Sequence, residues 1–277
     1  MAVSAFDRRS FLAAGCACCA GTWAWPPCAQ AVSNDPTSEG LPQVLELGTQ
    51  PMTRIAKTVW VSRIADGLWL HTTTDLITGG YYFPANGLIL ERPTGALLID
   101  TGYRPDQVEP LLEWSQRTLA RPISLAIATH FHSDRTGGIP GLRKAGIRTL
   151  AHPLTCDLAR AHGTPIPEPI EVFSENSHRI GSDCELYFPG AGHTRDNIVA
   201  WFPRQRTLFG GCMLKSATSN GLGAVADAVL TDWPASVGRA RDAYPNAQII
   251  VPGHGAITGD AIGTTLALLE SVGVNEP

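Results

Sequence analysis

A chain of 277 residues that is 44% hydrophobic and 17% charged has the balance of a packed globular domain. Its formal net charge of −4 supplies no basic face of the kind that nucleic-acid binding requires. No apolar run reaches the roughly 18 residues of a membrane span, so stable membrane insertion is not expected.

The chain opens unlike the rest. An Arg8-Arg9 pair is followed by a short stretch of small apolar residues to about Trp25 and then by Ala29-Gln30-Ala31. A paired arginine, a short apolar segment and an A-x-A site together describe an export signal of the twin-arginine type, with cleavage expected after Ala31 and a periplasmic destination. Asp7 before the pair and the absence of a Lys after Phe11 and Leu12 depart from that pattern. A lipoprotein signal ending at Cys16 is a weaker rival, because only six residues separate Cys16 from Arg9. Of the seven cysteines, Cys16, Cys18, Cys19 and Cys28 would leave with the leader, while Cys156, Cys184 and Cys212 remain. An odd cysteine in an exported protein points to a thiol with another job. Cys156 and Cys184 then read either as a disulfide or as two small buried apolar side chains.

Residues 32–56, rich in Pro, Gly, Ser and Thr toward their start, read as a flexible leader onto a single domain over 57–277. Strand-like runs follow at Thr58–Ile64, Leu68–Thr73, Gly87–Leu90 and Ala96–Ile99, and Asp106–Leu119 has the apolar spacing of an amphipathic helix. Ile123–Ala128 is a buried-strand run, and Leu142–Ala145, Ile147–Ala151 and Leu154–His162 read as helix, strand and helix. Further strands are expected at Glu185–Phe188, Ile198–Phe202, Thr207–Phe209 and Gln248–Val251, with helices at Pro234–Tyr244 and Asp260–Val272. Early strands mixed with later helices suggest an α/β (α+β) domain of two packed mixed sheets with helices outside.

Four of these strands end in a polar or glycine-flanked loop that carries metal-capable side chains. Ile123–Ala128 leads to His130, His132 and Asp134; Glu185–Phe188 to His193; Thr207–Phe209 to Cys212; and Gln248–Val251 to His254. Sheets gather such loops along one edge. Any one of these residues alone reads as a surface or core side chain, but six at successive strand ends read as a metal site. His71, His152, His162 and His178 lack that context. Six donors exceed one tetrahedral zinc and suit two Zn2+ ions with positions left open for water, and the mix of nitrogen, oxygen and thiolate favours zinc over magnesium or calcium.

This pattern resembles the metallo-β-lactamases, and within them subclass B1, over roughly residues 57–272. The resemblance rests on the H-x-H-x-D of His130, His132 and Asp134, on His193, on Gly210-Gly211-Cys212 with Lys215, on Gly253-His254-Gly255, and on the runs Asn86–Leu90 and Leu98–Gly102. Most other hydrolases of that fold have an Asp in place of the Cys and a His after the first Asp, where this chain has Arg135. The resemblance implies a four-layer αβ/βα sandwich. It also implies that His130, His132 and His193 hold one zinc while Asp134, Cys212 and His254 hold the other. The implied reaction is hydrolysis of the amide of penicillins, cephalosporins and carbapenems by a zinc-bound hydroxide, with Asp134 orienting the nucleophile and Lys215 pairing with the substrate carboxylate. Leu76–Phe83 resembles the hairpin that closes over substrate, which would bring Tyr82 and Phe83 to the drug side chain. Asp100 resembles an aspartate that supports the ligand loop through hydrogen bonds. Ala224 stands where the family often has an Asn that helps hold the substrate, a role that Asn220 could partly take. A monomer is implied. The alternatives are a lactone or thioester hydrolase of the same fold, or a zinc-binding protein without catalysis.

Overall fold

The computed structural model describes residues 47, 51–77, 82–173 and 176–274. The first sheet runs in chain order through eight strands: β1 (Thr53–Ala56), β2 (Val59–Ala65), β3 (Leu68–Leu76), β4 (Tyr82–Arg92), β5 (Gly95–Ile99), β6 (Ile123–Ala128), β7 (Thr149–Ala151) and β8 (Glu168–Pro169). Neighbours are antiparallel up to β5 and parallel from β5 to β8. The second sheet contains β9 (Ser177–Ile180), β10 (Cys184–Tyr187), β11 (Val199–Phe202), β12 (Thr207–Gly211) and β13 (Ile249–Pro252), in the order β13-β12-β11-β10-β9. Among the described residues the α-helices are α1 (Val108–Trp114), α2 (Ser133–Thr136), α3 (Ile139–Lys144), α4 (Pro153–His162), α5 (Trp233–Ala243) and α6 (Ala261–Ser271).

Side-chain alternation builds the layers. In β5, Leu97 and Ile99 enter the core between the sheets with Leu88, Ile127, Leu186, Phe202 and Phe209, while Ala96 and Leu98 turn outward to pack with Val108 and Leu111 of α1 and Leu142 of α3. All five residues of β5 are buried, as a strand covered on both faces requires. On the far side, Val199 and Leu208 of the second sheet pack with Trp233, Val237 and Ala240 of α5 and Ala261 and Leu269 of α6. The result is helix, sheet, sheet and helix, the sandwich expected from the sequence.

Several boundaries differ from the sequence reading. The expected helix over Asp106–Leu119 divides into a 3-10 turn at Pro105–Gln107, α1, and a π-helical turn at Ser115–Leu119 that ends at Ala120 in a left-handed conformation, φ 52°. The leader assigned to residues 32–56 needs correction at its C-terminal end. Thr53–Ala56 form β1 on the edge of the first sheet, and Leu47 is buried in the central core with Met52 packed against it. β1 escaped notice because four residues at a sheet edge need no strict apolar alternation. The remainder of the expected leader and the export signal lie outside the described residues. So do residues 78–81 of the Leu76–Phe83 hairpin, whose flanks Leu76 and Tyr82 pair across β3 and β4. Cys156 and Cys184 are both free. Cys156 packs with Ala128 and Ala151, whereas Cys184 lies in the core between the sheets, so the disulfide alternative is set aside.

Because β1 and Leu47 belong to the core, a chain beginning at residue 57 should unfold at lower denaturant than one beginning at residue 32. Burial of one leucine alone is worth about 2 kcal/mol. Equal unfolding midpoints would show that the segment contributes nothing.

Candidate metal centre

The C-terminal ends of β6, β12 and β13 and the loop after β10 converge on one edge of the sandwich. Backbone hydrogen bonds knit these ends together: Ile198 N donates to Thr129 O at 2.9 Å, Gly253 N to Gly211 O at 2.7 Å, and Asn86 N, from the other sheet, to Gly253 O at 2.8 Å. After β6 the chain stays extended through His132 (φ −64°, ψ 155°) and then turns into α2, which places Asp134 and Arg135 in the first helical turn. The His193 loop is shaped by Asn197, whose side chain accepts from Thr194 N at 3.1 Å and donates to Gly190 O at 3.0 Å. Gly253 has to be glycine, because a Cβ there would lie 2.6 Å from Cys212 N and 2.8 Å from Arg135 Nη2.

Two triads of donor atoms result. His130 Nε2 and His193 Nε2 each approach His132 Nδ1 to 3.2 Å. Cys212 Sγ lies 3.1 Å from His254 Nε2 and 3.5 Å from Asp134 Oδ2, and His254 Nε2 lies 3.2 Å from the same oxygen. Tetrahedral ligands about 2.0–2.3 Å from a zinc-sized ion stand roughly 3.2–3.7 Å apart, so both triads have the right span. Three ring nitrogens facing one another also need a cation more than they need each other. His132 already donates Nε2–H to Asp227 Oδ2 at 2.9 Å, which turns Nδ1 toward its neighbours as a lone pair. His254 is oriented in the same manner, its Nδ1 donating to Pro84 O at 2.7 Å. All six donors fall within groups whose atoms lie within 4.8 Å of one another, and none of those groups among the described residues contains His71, His152, His162 or His178.

The electrostatics suit a cation. Burial pushes the imidazoles of His130 and His193 well below the usual histidine range, which keeps them neutral and ready to ligate. Burial opposes ionisation of Asp134, yet Arg135 and His254 outweigh it and hold the carboxyl well below the usual carboxylate range. Desolvation opposes charge on the half-buried His254, but Cys212 and Asp134 raise it to about 9.

Beneath the donors lies Arg135, fully buried. Its Nη2 contacts Cys212 Sγ at 2.9 Å, Asp134 Oδ2 at 2.8 Å and Gly253 O at 2.8 Å. Its Nη1 donates to Asp100 Oδ2 at 3.0 Å and Asn86 O at 2.5 Å. Asp100 in turn accepts from Thr129 N at 2.8 Å and Thr129 Oγ1 at 3.0 Å, and so supports the loop that carries His130, as the sequence suggested. A left-handed backbone at Asp100, φ 61°, accompanies that support. Burial raises its carboxyl to about 6 against the opposing pull of Arg135 and Thr129.

The other expected site residues divide. Lys215 stands 5.1 Å above the ring of Trp233, which also lies 5.8 Å from the His193 ring, so Lys215 joins the site. Phe83 packs on His254 at 4.7 Å between ring centroids. Tyr82 begins β4 half-buried, and Asn220 is exposed on the loop after Lys215. Ala224 lies in the exposed stretch 223–226. Sequence reasoning missed Asp227, Asn86 and Trp233, and it treated Arg135 only as a replaced ligand. Asp227 had a signal, as the one carboxylate between residues 216 and 231.

Asp227→Ala should weaken metal binding by about 10- to 100-fold in a chelator competition while leaving the unfolding midpoint of the metal-free protein unchanged. Arg135→Ala should instead destabilise the fold by about 3–5 kcal/mol, because it strands buried carboxylates. Were the two variants to behave alike, the separate roles assigned to them would be wrong.

Comparison with known proteins places this geometry. Residues 80–254 match the family model of the metallo-beta-lactamase superfamily. The metallo-beta-lactamase type 2 of Bacteroides fragilis is 33% identical over 210 residues, covering 76% of this chain and 84% of that protein. The protein of the same name from Bacillus cereus is 35% identical over 202 residues, 72% of this chain and 78% of that protein. Among solved structures, a metallo-beta-lactamase from Erythrobacter litoralis superposes with a TM-score of 0.75 at 35% identity, covering 79% of this chain and 99% of that one. FIM-1 from Pseudomonas aeruginosa, solved in a mono-zinc form, gives a TM-score of 0.75 at 35% identity, covering 78% and 96%. With the fold, the donor triads and these likenesses in agreement, the chain belongs to the metallo-beta-lactamase superfamily.

Proposed function

We propose that the protein is a zinc-dependent hydrolase of the β-lactam amide, acting on penicillins, cephalosporins and carbapenems with two Zn2+ ions. The observation that carries this reading is the pair of donor triads, one of three imidazoles and one of Asp134, Cys212 and His254, built over a single buried guanidinium. The names of the relatives and of the structural neighbours support the β-lactam substrate. His130, His132 and His193 would hold the first ion, and Asp134, Cys212 and His254 the second. When bound, such ions supply Lewis acidity and bring the pKa of a bound water toward neutrality.

The chain's own residues do the rest. Asp134 commits Oδ2 to Arg135 and to the second triad, which leaves its other oxygen to orient the attacking water. Lys215 offers its ammonium to the substrate carboxylate from beside His193. Phe83, against His254, presents an apolar face to the drug side chain, with Tyr82 beside it in β4 and Asn220 at the rim. Ala224 offers no side-chain donor where the family often has an Asn, so among side chains the carboxylate anchor rests mainly on Lys215 and the substrate range is altered. The Arg8-Arg9 leader supports export through the twin-arginine route to the periplasm, where the protein acts as a monomer.

Purified protein loaded with zinc should hydrolyse a chromogenic cephalosporin and a carbapenem, and a chelator should abolish both activities. A folded, two-zinc protein that turned over neither would move the assignment to lactone or thioester hydrolysis. Lys215→Ala should raise KM about tenfold or more, the worth of a charge-assisted hydrogen bond, with a smaller effect on kcat. Ala224→Asn should shift the relative kcat/KM between penicillins and carbapenems; an identical profile for every substrate would mark the position as idle.

A further inference from the structure

Trp233 is fully buried at the start of α5, and three observations show that it is more than filler. Its Nε1 donates to Met213 O at 2.8 Å, the residue next to the ligand Cys212. Its ring lies against Gly192, next to the ligand His193, so closely that a Cβ at Gly192 would meet Trp233 Cδ1 at 3.1 Å. Over one face of the ring the Lys215 ammonium stands 5.1 Å from the centroid. One indole therefore touches two of the three loops of the second sheet that carry metal donors, and also holds the side chain that offers a positive charge to substrate.

The geometry points to Trp233 as a positioning residue that holds the Lys215 ammonium beside the metal pair before an anionic substrate arrives. This rests on the reading of Lys215 as the carboxylate anchor. A lysine side chain has four rotatable bonds, and ordering it on binding costs affinity. An indole face attracts an ammonium through its quadrupole and leaves the N–H donors on the far side free for a carboxylate. The ring's tilt is set by the Met213 hydrogen bond, and its lateral place by the fit against Gly192, so the platform is rigid where the lysine is not. Ala224 has no side-chain donor to assist, so the placement of this one prepared cation matters more here than where a second side-chain donor helps.

The test uses the zinc-loaded full protein with Trp233→Phe, which keeps an aromatic face but weakens it, and Trp233→Leu, which removes it. Substrates are a cephalosporin with its ring carboxylate free and the same compound with that carboxylate esterified. The expected result is a KM for the free acid that rises about three- to tenfold in the Leu variant and less in the Phe variant, little change in kcat, unchanged zinc content, and no change in KM for the ester. In a Lys215→Ala background the Trp233 substitutions should add nothing further. Equal KM rises for acid and ester, or full additivity with Lys215→Ala, would overturn the proposal and leave Trp233 as core packing. Should the Leu variant fail to fold, the Phe variant in both backgrounds decides the question. A readout independent of turnover accompanies these. The ε-methylene protons of Lys215 should resonate upfield through the indole ring current, and this shift should vanish in Trp233→Leu and shrink in Trp233→Phe. No upfield shift in the parent would overturn the platform, whereas a clear shift with no β-lactam turnover would overturn the assigned activity instead.

Discussion

The centre depends on one buried guanidinium. Arg135 is removed from water and surrounded by Asp134, Asp100, the Cys212 sulfur and the carbonyls of Gly253 and Asn86. Removing such a charge from water costs several kcal/mol, and only a complete set of charge-assisted partners offsets that. Besides Asp134, its own neighbour in α2, the set is drawn from four separate segments of chain: the end of β5, β4, the Cys212 loop and the turn after β13. Satisfying this one cation therefore forces those segments into a single arrangement, and that arrangement is the floor of the metal site. Asp134 gains in return, because it stays ionised in a place where burial alone would protonate it.

Orientation of the donors is settled one layer further out. Each imidazole has two nitrogens, and which one faces the centre is decided by what the other one bonds. Asp227 does this for His132 and the Pro84 carbonyl does it for His254. Both partners come from segments distant in sequence from the histidines they orient, Asp227 from a loop and Pro84 from β4. The substrate side is arranged in the same economical way. Trp233 backs His193 and Lys215 together, and Phe83 covers one face of His254, so the metal donors and the residues proposed to meet substrate share supports rather than having separate ones.

Most of the architecture was legible beforehand because two covered sheets demand long apolar runs. β5 and β6 could be read almost to the residue, and the helix at 153–162 likewise, since nothing competes with a strong buried pattern. Legibility failed where local pattern carries little information. β1 and β8 are short edge strands whose pairing is decided by the neighbour rather than by their own residues. The helix after Pro105 looked continuous by apolar spacing, yet its last turn widens, with Ser115 held by Arg121 N at 3.2 Å and its hydroxyl donating to Arg121 O at 2.5 Å. Tertiary context overrides spacing in such places.

The sequence by itself determined which six side chains can hold metal, because His, Asp and Cys at the ends of four strands leave few other readings, and the Cys with Arg135 narrowed the chemistry further. It also determined the layer order, through periods of two and of about three and a half. Only the tertiary structure decided that Arg135 is the shared counter-ion beneath the donors, and that Asp227, Asn86 and Trp233 belong to the site. The physical reason is that ligand capacity is a property of a residue type and can be read one residue at a time. Hydrogen-bond complementarity and desolvation are properties of pairs, and for Asp227 and His132 the partners stand 95 residues apart in the chain.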